Sequence, residues 1–200
     1  MSRRPNPRAE LMRLAVAEEA ARIMGEQGVD DFLQAKRKAA ERLGVTDASI
    51  LPRNTEIEAA LFARRRLFAG ERHAAEIASL RRSALEAMRL MADFEPRLVG
   101  PVLAGTASAH SEINLHLFSE SPEAVSLQLE ERGVPHDVQQ RRVRFERDRL
   151  VSYPALRFVA GRQPVDAVVF PLDGIRQSPC SPVDGKPMRR ASTAEVESLL

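Results

Sequence analysis

The sequence predicts an α+β protein in which an N-terminal helical region precedes a small mixed-sheet domain, and three observations carry this. The 200 residues include 44% hydrophobic and 29% charged side chains, the balance of a chain that folds around a core of its own. Composition changes near residue 95: before it Ala, Leu, Glu and Arg dominate and proline stands only at Pro5, Pro7 and Pro52, whereas after it Val, Phe, Pro and Ser rise. Apolar spacing changes at the same point, from the period of a helix to short runs parted by turn residues. The expected divisions are a helical region over 1–71, a sheet domain over 72–171 and a proline-rich extension with a short helix over 172–200.

A first helix is expected over 8–27, with Leu11, Leu14, Ala15, Ala21 and Met24 on its buried face and Gly28 as a left-handed stop. Asp30 is placed to cap a second, which carries Phe32, Leu33, Ala40 and Leu43 and ends at Gly44. A third starts at Thr55, where Thr55 and Glu58 match a Thr-x-x-Glu capping box, and ends near Gly70. A fourth, over 72–94, repeats Ile77, Leu80, Leu85, Met88 and Met91 at helical spacing. Strands are expected over 97–103 and 112–118 around a turn at Gly105, then a helix from Ser121-Pro122-Glu123 to Gly133. Further strands fall over 134–145, 155–160 and 165–170, the last two joined by a four-residue loop from Gly161 to Pro164, which sets Val159 opposite Asp166.

Charge and cysteine content exclude several function classes. With 30 Lys+Arg against 28 Asp+Glu the net charge is only +2, a small electrostatic footprint for nucleic acid. Eight Phe, one Tyr and no Trp leave few rings on which to stack unpaired bases. The basic runs at Lys36-Arg37-Lys38, Arg64-Arg65-Arg66, Arg81-Arg82 and Arg141-Arg142 read as solvated faces, because a helix turns successive residues away from one another. Cys180 is the single cysteine, so neither an internal disulfide nor a cysteine-based zinc site is expected. No run approaches the roughly 18 apolar residues of a membrane span. The basic start is followed by Arg13, Glu18 and Glu19 rather than an apolar signal region, and a cytoplasmic location is expected.

The stretch from Gly100 to Phe118 carries the chemistry. Its second half alternates: Ile113, Leu115 and Leu117 share one strand face, while Glu112, Asn114, His116 and Phe118 share the other. A carboxylate, an amide and an imidazole in a row, just after a glycine turn, could floor a cleft for metal and phosphates. His116 is read instead as a hydrogen-bonded strand histidine, and His110 as a loop residue. Gly100 and Gly105 open a Gly-x-x-x-x-Gly pattern, but Thr106 and Ala107 stand where a P-loop needs Lys and Ser or Thr, which excludes that reading.

The segment resembles the signature of the nucleotidyltransferase superfamily, the fold of polymerase β-like and minimal nucleotidyltransferases: Gly-Ser, about four residues, Gly, then Ser-Asp-h-Asp-h, with h apolar. Gly100, Gly105, Ser111, Ile113 and Leu115 fall where that pattern places them. The resemblance covers 72–171, about half of the chain, and implies a nucleotidyltransferase-like mixed sheet. It also implies transfer of a nucleoside monophosphate from an NTP to a hydroxyl acceptor. Glu112, Asn114 and Asp166 would be catalytic, with Glu112 and Asp166 holding Mg²⁺ or alternatively Mn²⁺; Gly100, Pro101, Gly105, Thr106 and Ser111 would contact the nucleotide. Asp166, a lone acid in the apolar run from Pro164 to Phe170, stands for the family's third carboxylate; pairing with Arg157 across the hairpin is its alternative.

Three positions depart from the pattern. Glu112 and Asn114 replace the two aspartates, and Pro101 replaces the phosphate-binding serine, losing both its hydroxyl and its N–H. A lost electrostatic stabiliser costs on the order of 3 kcal/mol, about a hundredfold in rate. Three readings therefore stand: a transferase; a non-catalytic descendant of the fold that binds a nucleotide, or a protein partner through the helices of 8–94; and an RNA-binding adaptor using the Arg-rich helices, whose affinity would fall steeply with salt.

Overall fold

The computed structural model describes residues 7–29, 31–68, 70–108, 111–145 and 149–200. They divide into two units, each treated by itself: a helical unit reaching to His73 and including Pro182–Asp184, and a sheet unit of Ala74–Ser181 with Gly185–Leu200.

In the helical unit, α1 spans Pro7–Gln27. Its buried stripe is Val16, Ala17, Ala20, Ala21, Ile23 and Met24, packed with Ala35 and Ala39 of α2 (Phe32–Arg42) and Ile57 and Leu61 of α3 (Asn54–Phe68). Leu11 and Leu14, expected on the inner face, are exposed, as is Leu33; alanines with Val16, Ile23 and Met24, not leucines, make the α1 contact. Asp30 lies outside the described residues, and Asp31 caps α2 by accepting from the Gln34 N–H at 2.7 Å. The expected Thr55–Glu58 box is also displaced. Helix α3 begins at Asn54, so the acid three residues beyond its cap is Glu56, whose Oε2 accepts from the Arg53 N–H at 2.7 Å.

The sheet unit takes in α4 (Gly70–Leu90) from Ala74 onward, then β1 (Arg97–Val99), α5 (Gly100–Ala104), β2 (Ile113–Phe118), α6 (Pro122–Glu131), β3 (His136–Arg144), β4 (Leu150–Ala160), β5 (Gln163–Phe170) and α7 (Thr193–Glu197). The five strands run in the order β1-β2-β5-β4-β3. Only β2 and β5 are parallel, so the sheet is mixed and the protein is α+β. The expected strand over 97–103 is split: Gly100 turns the chain at φ 72°, and Pro101, with no N–H for a ladder and a helical φ, sits in the first turn of α5. The β4–β5 loop is also shorter than expected. Ala160 pairs with Gln163 across a two-residue turn, Gly161-Arg162, which sets Arg157 and not Val159 opposite Asp166. β4 starts at Leu150, ahead of the expected 155, and passes through Pro154 where β5 no longer pairs with it.

One sheet face carries Ile113, Leu115, Leu117, Leu156, Phe158, Val165, Ala167 and Val169, buried with Leu80, Ala84 and Met88 of α4, Met91 just after it, and Val125 and Leu129 of α6. At one end the opposite face is aromatic, with Phe118, Phe145 and Phe170 buried beside Tyr153; at the other it is polar. Ala191 closes the outer side of β1: Leu98 N–H donates to Ala191 O at 2.8 Å and Ala191 N–H to Leu98 O at 2.9 Å. Among the described residues no helix is long and apolar enough to cross a membrane.

Candidate functional site

The polar end is built by period-two alternation on paired strands. Ile113, Leu115 and Leu117 are fully buried on the core side of β2, which turns Asn114 and His116 to the opposite face. The parallel register sets Asn114 beside Asp166, and the next strand adds Arg157 opposite Asp166. Glu112 immediately precedes β2, and its carbonyl accepts from Asn114 Nδ2 at 3.4 Å. Thus the structure brings Glu112, Asn114 and Asp166 together. Gly100 belongs with them: a Cβ there would lie 3.1 Å from Asn114 Nδ2.

The remaining expected nucleotide contacts are placed differently. Pro101 O accepts from the N–H groups of Thr106 and Ala107 at 2.9 and 3.1 Å, which closes the turn after α5, and Thr106 is buried. Gly105 ends α5 on the side of Arg81, whose Nη2 would lie 3.8 Å from a Cβ. Ser111 is buried and its hydroxyl accepts from the Ser108 N–H at 2.9 Å. His110 lies outside the described residues.

Both carboxylates hold an arginine. Glu112 accepts from Nη2 of Arg157. Asp166, only 5% exposed, accepts from Arg141 Nε at 2.9 Å on one oxygen and from Gln139 Nε2 at 3.1 Å on the other. The alternative pairing of Asp166 with Arg157 is therefore not formed, although the two stand opposite. Arg141 and Gln139 reach Asp166 from β3 across β4, which presents Ala155 opposite Gln139; a single methyl leaves them a path. Arg141, Gln139 and the Arg157–Glu112 pair escaped sequence reasoning. The available signal was the same-face series Asp137, Gln139, Arg141 along β3.

His116 faces the aromatic end. It is 3% exposed, and its Nδ1 accepts from Arg190 Nε at 2.9 Å. Arginine only donates, so Nδ1 is unprotonated, and burial first and Arg190 second push the imidazole down to about 3. It is a hydrogen-bonded strand histidine.

No protein-family model matches the chain, and no curated protein matches it. A solved structure of a cytoplasmic RNA terminal U-transferase is similar over 57% of this chain, at 17% identity and a TM-score of 0.32. The chain covers 34%, about a third, of that protein's length.

Mg²⁺ takes oxygen ligands in octahedral geometry and is usually held by one or two carboxylates beside substrate phosphates. Here the two carboxylates are each tied to a guanidinium, and among the described residues no group of three or more His, Cys, Asp or Glu could hold a metal. This donor set, as paired, holds both carboxylates on guanidinium groups rather than free for a cation. It offers instead guanidinium and amide N–H groups, the donors that recognise anions.

Proposed function

We propose that the chain is a nucleotidyltransferase-like module that binds a nucleoside triphosphate at the polar end of its sheet without transferring the nucleotide. The glycine turn and the convergence of Glu112, Asn114 and Asp166 support nucleotide binding. The observation that carries the non-catalytic reading is the pairing of both carboxylates with Arg157 and Arg141: the negative charge that would gather metal ions is neutralised within the protein.

The test is a thermal-shift titration with ATP, GTP, CTP and UTP, beside an assay for labelled nucleotide incorporation. Ligand at a hundred times its dissociation constant adds about 2.7 kcal/mol of stability. The reading expects a shift with at least one triphosphate and no incorporation. A folded protein that shifts with none overturns nucleotide binding; incorporation by the wild type overturns the non-catalytic part. The second reading, an active transferase, is favoured by the register that sets Asn114 beside Asp166, and it expects Asn114→Asp to raise incorporation sharply.

A further inference from the structure

We propose that this site takes a triphosphate chain without a divalent cation, through the guanidinium groups of Arg141 and Arg157. The inference rests on the nucleotide-binding reading above and concerns what neutralises the phosphates there.

A guanidinium has five N–H donors in a planar fork that matches phosphate oxygens. Arg157 commits Nη2 to Glu112, and Arg141 commits Nε to Asp166. Both side chains remain close to half exposed, at 48% for Arg157 and 43% for Arg141, and their other N–H groups are not used in these two pairs. The carboxylates therefore act as anchors. They hold two flexible side chains in place before a ligand arrives, which removes an ordering cost from binding. Asn114 adds an amide N–H group beside them, and the missing side chain of Gly100 keeps the approach to that amide open.

The roles of the acids are then opposite to those in a metal site. Where a carboxylate holds Mg²⁺, removing its charge loses the ion and with it the nucleotide. Where it only anchors an arginine, its negative charge repels phosphate, and a glutamine, which keeps an oxygen to accept from the arginine but carries no charge, strengthens binding. Glu112 is the discriminating residue, and Asp137, exposed on β3 opposite Arg157, adds a second like charge.

The experiment is isothermal titration with inorganic triphosphate and with ATP, in EDTA and in excess Mg²⁺, on wild type, Glu112→Gln, Asp137→Asn and Arg157→Gln, with folding checked by circular dichroism. The proposal expects binding in EDTA at least as tight as in Mg²⁺. It expects affinity raised severalfold in Glu112→Gln and Asp137→Asn, and lowered tenfold or more in Arg157→Gln. Binding that requires Mg²⁺ and weakens in Glu112→Gln overturns the proposal while leaving nucleotide binding intact. Failure of the folded wild type to bind ATP under either condition overturns the nucleotide-binding reading itself.

Discussion

Arg190 holds Nδ1 of His116 in its unprotonated form at 2.9 Å, and it does so from above the aromatic end of the sheet, 5.0 Å from the Phe118 ring centre and 5.2 Å from that of Phe170. Its Nη1 also donates to Gly174 O at 2.8 Å. One side chain thus joins the segment after β5 to the face of the sheet.

A pH dependence follows from this pair. His116 titrates near 6.5 when unfolded and near 3 in the fold, through burial first and Arg190 second. Between those values the unfolded chain binds one more proton, so stability is fully present above pH 6.5 and falls as the pH drops toward 3, by about 1.4 kcal/mol per pH unit. His116→Gln, which retains an acceptor for Arg190, is expected to remove this component. Urea unfolding of both proteins across that range measures it, and equal slopes would refute the assignment.

Gly100 and Gly105 share a left-handed backbone but not their surroundings, with φ 72° and 77°. Gly100→Ala and Gly105→Ala should each cost about 1–2 kcal/mol through backbone strain. Only the first brings a methyl against Asn114, so only it should also weaken triphosphate binding, beyond what its stability loss explains. Chemical denaturation and titration of the two variants separate the effects.

Ala155 is the gap that Gln139 and Arg141 cross to reach Asp166. Ala155→Leu is expected to cost about 1–3 kcal/mol from overpacking, plus the loss of partners for a buried carboxylate. Adding Asp166→Asn should recover part of the loss, because the amide tolerates isolation better than the charge does. A double-mutant cycle that shows simple additivity would count against the crossing.

Glu19 of α1 pairs with Arg22 of the same helix at 2.8 Å and with Arg42 of α2 at 2.9 Å, and the second contact ties the two helices together. Those partners, Arg22 first, hold its carboxyl down at about 2, well below the usual carboxylate range. The stabilisation is therefore complete above pH 4.5 and lost as the pH falls toward 2. Unfolding of wild type and Glu19→Gln should converge across that interval and differ above it.

The order of elements was legible because apolar spacing and turn residues are local signals. What failed depends on longer range. An apolar run such as 97–103 fits a strand or a buried helical turn equally well, and only Pro101 after Gly100 marks the change. The hairpin register depended on whether Gln163 and Pro164 belong to the loop, and local composition does not settle that. The face that Asn114 takes was legible because alternation along β2 fixes it, whereas Asp166 was expected only from the resemblance; the parallel register sets the two side by side. Arg141 was not legible, because its partner lies two strands away and across a residue chosen for being small.

The closure of β1 by Ala191 bears on how the protein is made. During synthesis β1 emerges from the ribosome long before Ala191 does, and an unpaired strand is a template for other chains. Until translation passes that residue the nascent sheet keeps an open border, so a ribosome stalled just upstream leaves a product prone to pair with its neighbours.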